Sequence, residues 1–157
     1  MATWLETDER QEVFVTLSAC HDFLQRASAE IYYWKWVFIA LHNAVQGTMV
    51  VALKQSDGFG PIRENIRRKW YKEYAETGTP PPIEEKLLWF LALYDKIKES
   101  GTLQGHEVSP YSPPGNQDWA MKKLNEIRNE YIHFTPKGWH LDLTDAPDLG
   151  LSGSRYS

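Results

Sequence analysis

The chain has 157 residues, of which 42% are hydrophobic and 13% aromatic, so it is long and apolar enough for a real core and is not a disordered chain. A formal net charge of −4 excludes a molecule that is basic all over, so any polyanionic partner must meet a local patch. The single cysteine, Cys20, excludes an internal disulfide framework and fits a reducing cytoplasm, and the acidic opening MATWLETDER lacks the apolar run of a signal peptide.

The first helix is expected after Thr7, with Asp8 and Glu9 in the first turn, where negative charge favours the helix dipole. Val13, Leu17, Cys20 and Leu24 give it an apolar stripe that runs to about Arg26. A second helix spans about Ala29 to Lys54 and stops at Ser56-Asp57-Gly58, followed by Gly60-Pro61. Its stretch Ile31 to Leu53 is apolar almost all round and long enough to span a bilayer. Lys35, His42, Asn43 and Gln46 interrupt it at positions costly in lipid, so the reading is a core helix with one polar stripe and no membrane partner.

An insert follows, residues 57–82. Within it Ile62, Ile66, Trp70 and Tyr74 recur at four-residue steps, which predicts a short extra helix from Pro61 to Ala75. Five cations there, Arg63, Arg67, Arg68, Lys69 and Lys72, face two carboxylates, Glu64 and Glu73. A third long helix, Ile83 to Ser100, carries Ile83, Leu87, Phe90, Tyr94 and Ile97 on one face, with Pro80, Pro81 and Pro82 before it and Gly101 after it. No strand is expected before Trp139. A loop rich in Pro, Ser and Gly leads into the last helix, about Gln117 to Phe134, which Pro136 and Gly138 stop. Trp139, Leu141 and Leu143 alternate as a short strand or extended cover, and residues 145–157 read as a loose tail. The expected architecture is all-α: a four-helix up-down bundle over residues 1–144, with the short helix inserted between the second and third long helices and an extended C-terminal tail.

The last helix carries the most informative pattern. Ala120, Leu124, Ile127, Tyr131 and Phe134 form its apolar stripe, which puts Asn129 and His133 on the opposite side and Arg128 at the edge. Arg128 through His133 reads RNEYIH, which resembles the signature of the HEPN superfamily, small all-α bundles with an Arg, a following polar residue and a His four to six residues on. The resemblance is close over these six residues and loose over the bundle. It implies a metal-independent endoribonuclease without a cofactor, acting as a toxin or antiphage-defence effector held in check by an antitoxin or other regulator. It also implies a homodimer whose motifs meet in one cleft. Catalytic members paired with a nucleotidyltransferase antitoxin often carry Tyr two residues after the His. Here Phe134 and Thr135 follow His133, which sets this chain apart from that version.

The chemistry suits these residue types. An imidazole exchanges protons near neutral pH, so His133 could take the proton of a ribose 2′-hydroxyl or give one to the leaving 5′-oxygen. The guanidinium of Arg128 offers a planar fork to phosphate oxygens, and Asn129 could orient the imidazole or bind the nucleotide. Arg128 and His133 point roughly 140° apart on a regular helix. Two copies facing each other through the last helix satisfy that geometry better than one. His42 and Asn43 are candidate substrate-binding helpers, with a satisfied core pair as the competing reading. Arg67, Arg68 and Lys69 are candidate RNA-docking cations, with an ordinary solvated face as theirs. The rival function is a non-catalytic module binding a nucleotide, RNA or protein through the same groove. No Cys/His cluster, HExxH or Gly-rich phosphate loop is present, and Glu130 with His133 is a single Glu-x-x-His, so no metal is expected.

Overall fold

A computed structural model describes residues 5–54, 57–82, 86–99, 101–103, 106–133, 141 and 143, and over these the chain is mostly helical. Its contacts divide into two compact units, Met1–Gly47 with Pro113–Ser157 and Thr48–Ser112. The expected loose tail at 145–157, the helix stop around Pro136 and the stripe residue Phe134 lie outside the described residues.

In the first unit, α1 (Glu9–Ala27) starts where its acidic opening predicts. Asp8 is the N-cap, its carboxylate accepting from the Gln11 amide at 2.8 Å, and Thr7 donates to Glu12 at 2.7 Å. The covered face differs from the expected stripe. Val13, Thr16, Cys20, Phe23 and Ala27 turn inward, while Leu17 and Leu24 are exposed and Phe14 is 73% exposed. Close approach between helices explains the rotation. A Cβ at Gly47 would sit 2.8 Å from a Val13 methyl, and the Cys20 thiol reaches the Val37 carbonyl at 3.7 Å. Small residues permit that contact, and a stripe of leucines would hold the backbones apart.

Glu30 is extended, so the second helical segment opens with a 3₁₀ turn, Ile31–Tyr33, before α2 (Trp34–Leu53). Ile31–Leu53 is long and apolar enough to cross a membrane by length and composition, and 39% of its apolar window is buried. Within the first unit its buried residues are Val37, Phe38, Ala40, His42 and Ala44. The Phe38 ring stacks on Tyr131 of α5 (Gln117–His133) at 6.4 Å and contacts Trp34 at 5.6 Å. From α5 come Met121, Leu124 and Ile127, all buried.

The second unit holds the end of α2, then α3 (Glu64–Thr77) and α4 (Phe90–Glu99). Phe59, Ile62 and Ile66 form its core, with Trp70 and Leu87 packed against them. Gly60 is indispensable in the turn, because any Cβ there would collide with the Leu53 carbonyl. Lys96 donates to the Gly60 carbonyl at 2.6 Å, tying α4 to the same turn. Gly78 closes α3 in the left-handed region at φ 69°, and the Trp70 indole donates to the Pro81 carbonyl at 2.6 Å.

Two elements depart from the sequence reading. The third long helix begins at Phe90, not Ile83; Ile83 itself lies outside the described residues. Residues 86–88 instead pair with the chain at 61–63: Arg63 N–H donates to Lys86 O at 3.1 Å and Leu88 N–H to Pro61 O at 2.9 Å. Backbone groups committed to that antiparallel bridge cannot also serve a helix. The second departure is a short antiparallel hairpin, β1 (Thr102–Leu103) and β2 (His106–Glu107), where no strand was expected. Pairs this brief carry too few residues for a detectable alternation.

Candidate functional site

The motif helix α5 packs with a wider apolar face than its stripe implies. Met121 is buried along with Leu124 and Ile127. Taking Met121 as origin, Leu124, Ile127 and Tyr131 lie roughly 60°, 120° and 80° to one side, and Arg128 only about 20° from it. Arg128 therefore projects just inside the Met121 border of the packed face, and it is half-buried. Its Nη1 donates to the side-chain Oδ1 of Asn129 at 3.0 Å, while Nε is buried with no hydrogen-bond partner among the described residues. The partner of this cation is thus a neutral amide. Asn129 is half-buried, and His133, in the last position of α5, is exposed as its place on the wheel predicts.

Among the described residues of the same unit His42 is a fully buried polar side chain, with 2% of its surface exposed. Its Nε2 lies 3.3 Å from the side-chain Oδ1 of Asn125 across the α2–α5 contact, and an amide oxygen only accepts, so a neutral ring carries its proton on Nε2. Burial pushes its pKa from 6.5 down to about 4. Its amide partner Asn125 opposes that shift, and the positive charge of Arg128 adds to it. The imidazole is neutral at pH 7 for these reasons. So the structure brings His42 and Arg128 within electrostatic reach of each other, and Asn125 is the residue that sequence reading missed. Its signal was available: a mid-helix Asn with low helix propensity, one residue beyond buried Leu124. Asn43, one step from His42, is exposed and also interacts with the ring.

The same unit holds a cleft of about 450 Å³, walled by Tyr32, Trp34, Lys35, Trp36 and Tyr131, with Ile31, Leu141 and Leu143 completing it. Leu141 and Leu143, expected as an extended cover, are half-buried there; Trp139 lies outside the described residues.

Arg67, Arg68 and Lys69 belong to the second unit, on α3. Both arginines pair with Glu64, at 3.2 Å and 3.3 Å, in exposed contacts between successive turns. Pairs so open to solvent contribute little stability and leave the guanidinium groups accessible. Lys69 lines a small recess with Trp70, Glu73 and Pro81. Among the described residues no group of three or more His, Cys, Asp or Glu gathers as a metal site. The Cys20 thiol, half-buried, has its pKa raised by burial, which disfavours the nucleophilic thiolate. No protein-family model, no curated protein and no solved structure matches this chain.

Proposed function

We propose that the chain is a HEPN-like, metal-independent endoribonuclease. One observation carries the reading: Arg128 is half-buried in the packed face of α5, its Nε has no partner among the described residues, and its Nη1 is held by a neutral amide. A buried guanidinium nitrogen without an acceptor costs about 1–3 kcal/mol or more, and a phosphate oxygen removes that cost. Because nearby His42 is buried and neutral at pH 7, it adds no second positive charge beside Arg128 and takes no anion for itself. His133, exposed one turn further along the same helix, supplies the proton-transfer group.

In this mechanism Arg128 holds the non-bridging oxygens of the scissile phosphate as charge builds on them. His133 removes the 2′-hydroxyl proton, the 2′-oxygen attacks phosphorus, and the bond to the 5′-oxygen breaks as that oxygen takes the proton back from the His133 imidazolium, which returns the ring to its neutral form. The products are a 2′,3′-cyclic phosphate and a 5′-hydroxyl. The roughly 140° between the two side-chain directions favours a homodimer, in which the guanidinium of one copy and the imidazole of the other share one phosphate. An up-down bundle, a cytoplasmic site of action and a toxin or antiphage role under a regulator belong to the same reading.

The test uses purified protein, total RNA and excess EDTA. Cleavage to cyclic-phosphate ends that persists with chelator and is lost in both His133→Ala and Arg128→Ala supports the nuclease. RNA binding without turnover in the wild type reassigns the chain to the rival, a non-catalytic binding module. Equal degradation by wild type and variants marks a contaminant and removes the proposal's support.

A further inference from the structure

The aromatic cleft beside the motif has no role in the chemistry above. Four of its walls are rings, Tyr32, Trp34, Trp36 and Tyr131, and a single cation, Lys35, lies with Nζ 5.2 Å from the centre of the Trp36 ring. Three of those rings, Trp34, Trp36 and Tyr131, pack against aromatic neighbours outside the cleft wall. Phe23 of α1 contacts Trp36 at 6.2 Å, and Phe38 backs both Trp34 at 5.6 Å and Tyr131 at 6.4 Å. Rings supported in this way keep their faces in place without a ligand, which lowers the ordering cost of binding. Yet Tyr32 is 81% exposed and Trp36 46% exposed, an expensive display unless something flat covers them.

We propose that this cleft is a nucleobase subsite, one that takes the base of a single-stranded nucleotide whose phosphate sits at Arg128. Three features favour a base over an aliphatic ligand. The walls are mainly π-faces, which stack any base without regard to sequence. The volume, about 450 Å³, is in the range of small-ligand sites and exceeds what one flat ring needs. Tyr131 and Arg128 stand three residues apart on α5, so they are neighbours on the helix surface and a base against one lies within a nucleotide's length of the other. One cation, Lys35, in the cleft wall and a second, Arg128, three residues before Tyr131 on α5 match an anionic, ring-bearing ligand in a chain of net charge −4. The proposal rests on the phosphate role given to Arg128, but base binding can be measured apart from it.

The experiment titrates the intact protein with uridine, UMP, AMP and ribose 5-phosphate, following tryptophan fluorescence and saturation-transfer NMR of the ligand protons. Uridine and both nucleotides should bind through their base protons, and Tyr32→Ala should weaken them about tenfold or more, the loss expected for one stacking ring. Ribose 5-phosphate should be indifferent to Tyr32→Ala and sensitive to Arg128→Ala. Since Tyr32 is largely exposed, an unchanged circular-dichroism spectrum verifies the fold, and Trp36→Ala serves as the second variant. Equal nucleoside affinity in wild type, Tyr32→Ala and Trp36→Ala overturns the subsite. So does self-association that Tyr32→Ala abolishes while nucleosides give no signal, since a second copy then fills the cleft. Cleavage of RNA with no nucleoside binding removes the cleft alone; nucleoside binding with no cleavage removes the nuclease alone.

Discussion

At Arg128, sequence and packing pull in different directions. A residue of this kind normally keeps its head in water, yet here Nε is buried without an acceptor among the described residues. Exchange for a shape-matched apolar side chain removes that cost, so Arg128→Met should leave the urea midpoint unchanged or raise it, while phosphate affinity is lost. A drop of more than about 2 kcal/mol would mean that the guanidinium is a structural anchor, not a ligand group. His42 gives the second residue-scale expectation. Its folded pKa, about 4, lies below its unfolded value of 6.5, so the unfolded chain binds the proton first as pH falls. The His42 contribution is therefore present in full above pH 6.5 and is lost progressively toward pH 4. It amounts to roughly 3 kcal/mol across that window. Urea titrations of wild type and His42→Gln at matched pH should diverge in that interval once the carboxylate background is subtracted. Parallel curves would mean that the ring titrates normally.

Among the elements, α1 shows why an apolar period does not fix which face is covered. Two interleaved stripes run along it: Leu17 with Leu24, and Val13, Thr16, Cys20, Phe23 and Ala27. The one with smaller residues won, because it admits the approach to α2 at Gly47. Leu17→Ala should consequently cost less than about 0.5 kcal/mol, whereas Leu124→Ala, at 3% exposure in α5, should cost about 2–5 kcal/mol. Similar losses at both positions would place Leu17 in an interface formed in solution. The late start of α4 has a different cause. Residues 86–88, inside the expected helix, are bridged because residues 61–63 offer backbone partners from across the insert, a contact between segments about two dozen residues apart that no local window contains.

For the molecule as a whole, composition and helix number were legible, and so were the bounds of α1 at its capped start and of α5 through His133. The exposed His133 was legible too, because a helical wheel fixes directions relative to one another whatever the neighbours are. Half-burial of Arg128 was not, since it depends on Met121 joining the packed face. If the proposed shared site is right, sedimentation at micromolar concentration should give a dimer, and mixing Arg128→Ala with His133→Ala should restore part of the activity that each lacks. A stable monomer, or no complementation between the two variants, argues against a site built from two copies.

The sequence alone determined that the chain is mostly helical, where α1 and α5 run, and the order in which Arg128, Asn129 and His133 leave the last helix. These follow from local terms: periodicity, caps, and the glycines and prolines that stop a helix. Only the tertiary structure decided that His42 is sealed against Asn125, that Arg128 lies inside a packed face, and that four rings enclose a cleft. Burial and dielectric belong to a neighbourhood assembled from residues far apart in the chain, and one strand of letters read in order holds no record of which distant side chains will exclude the water.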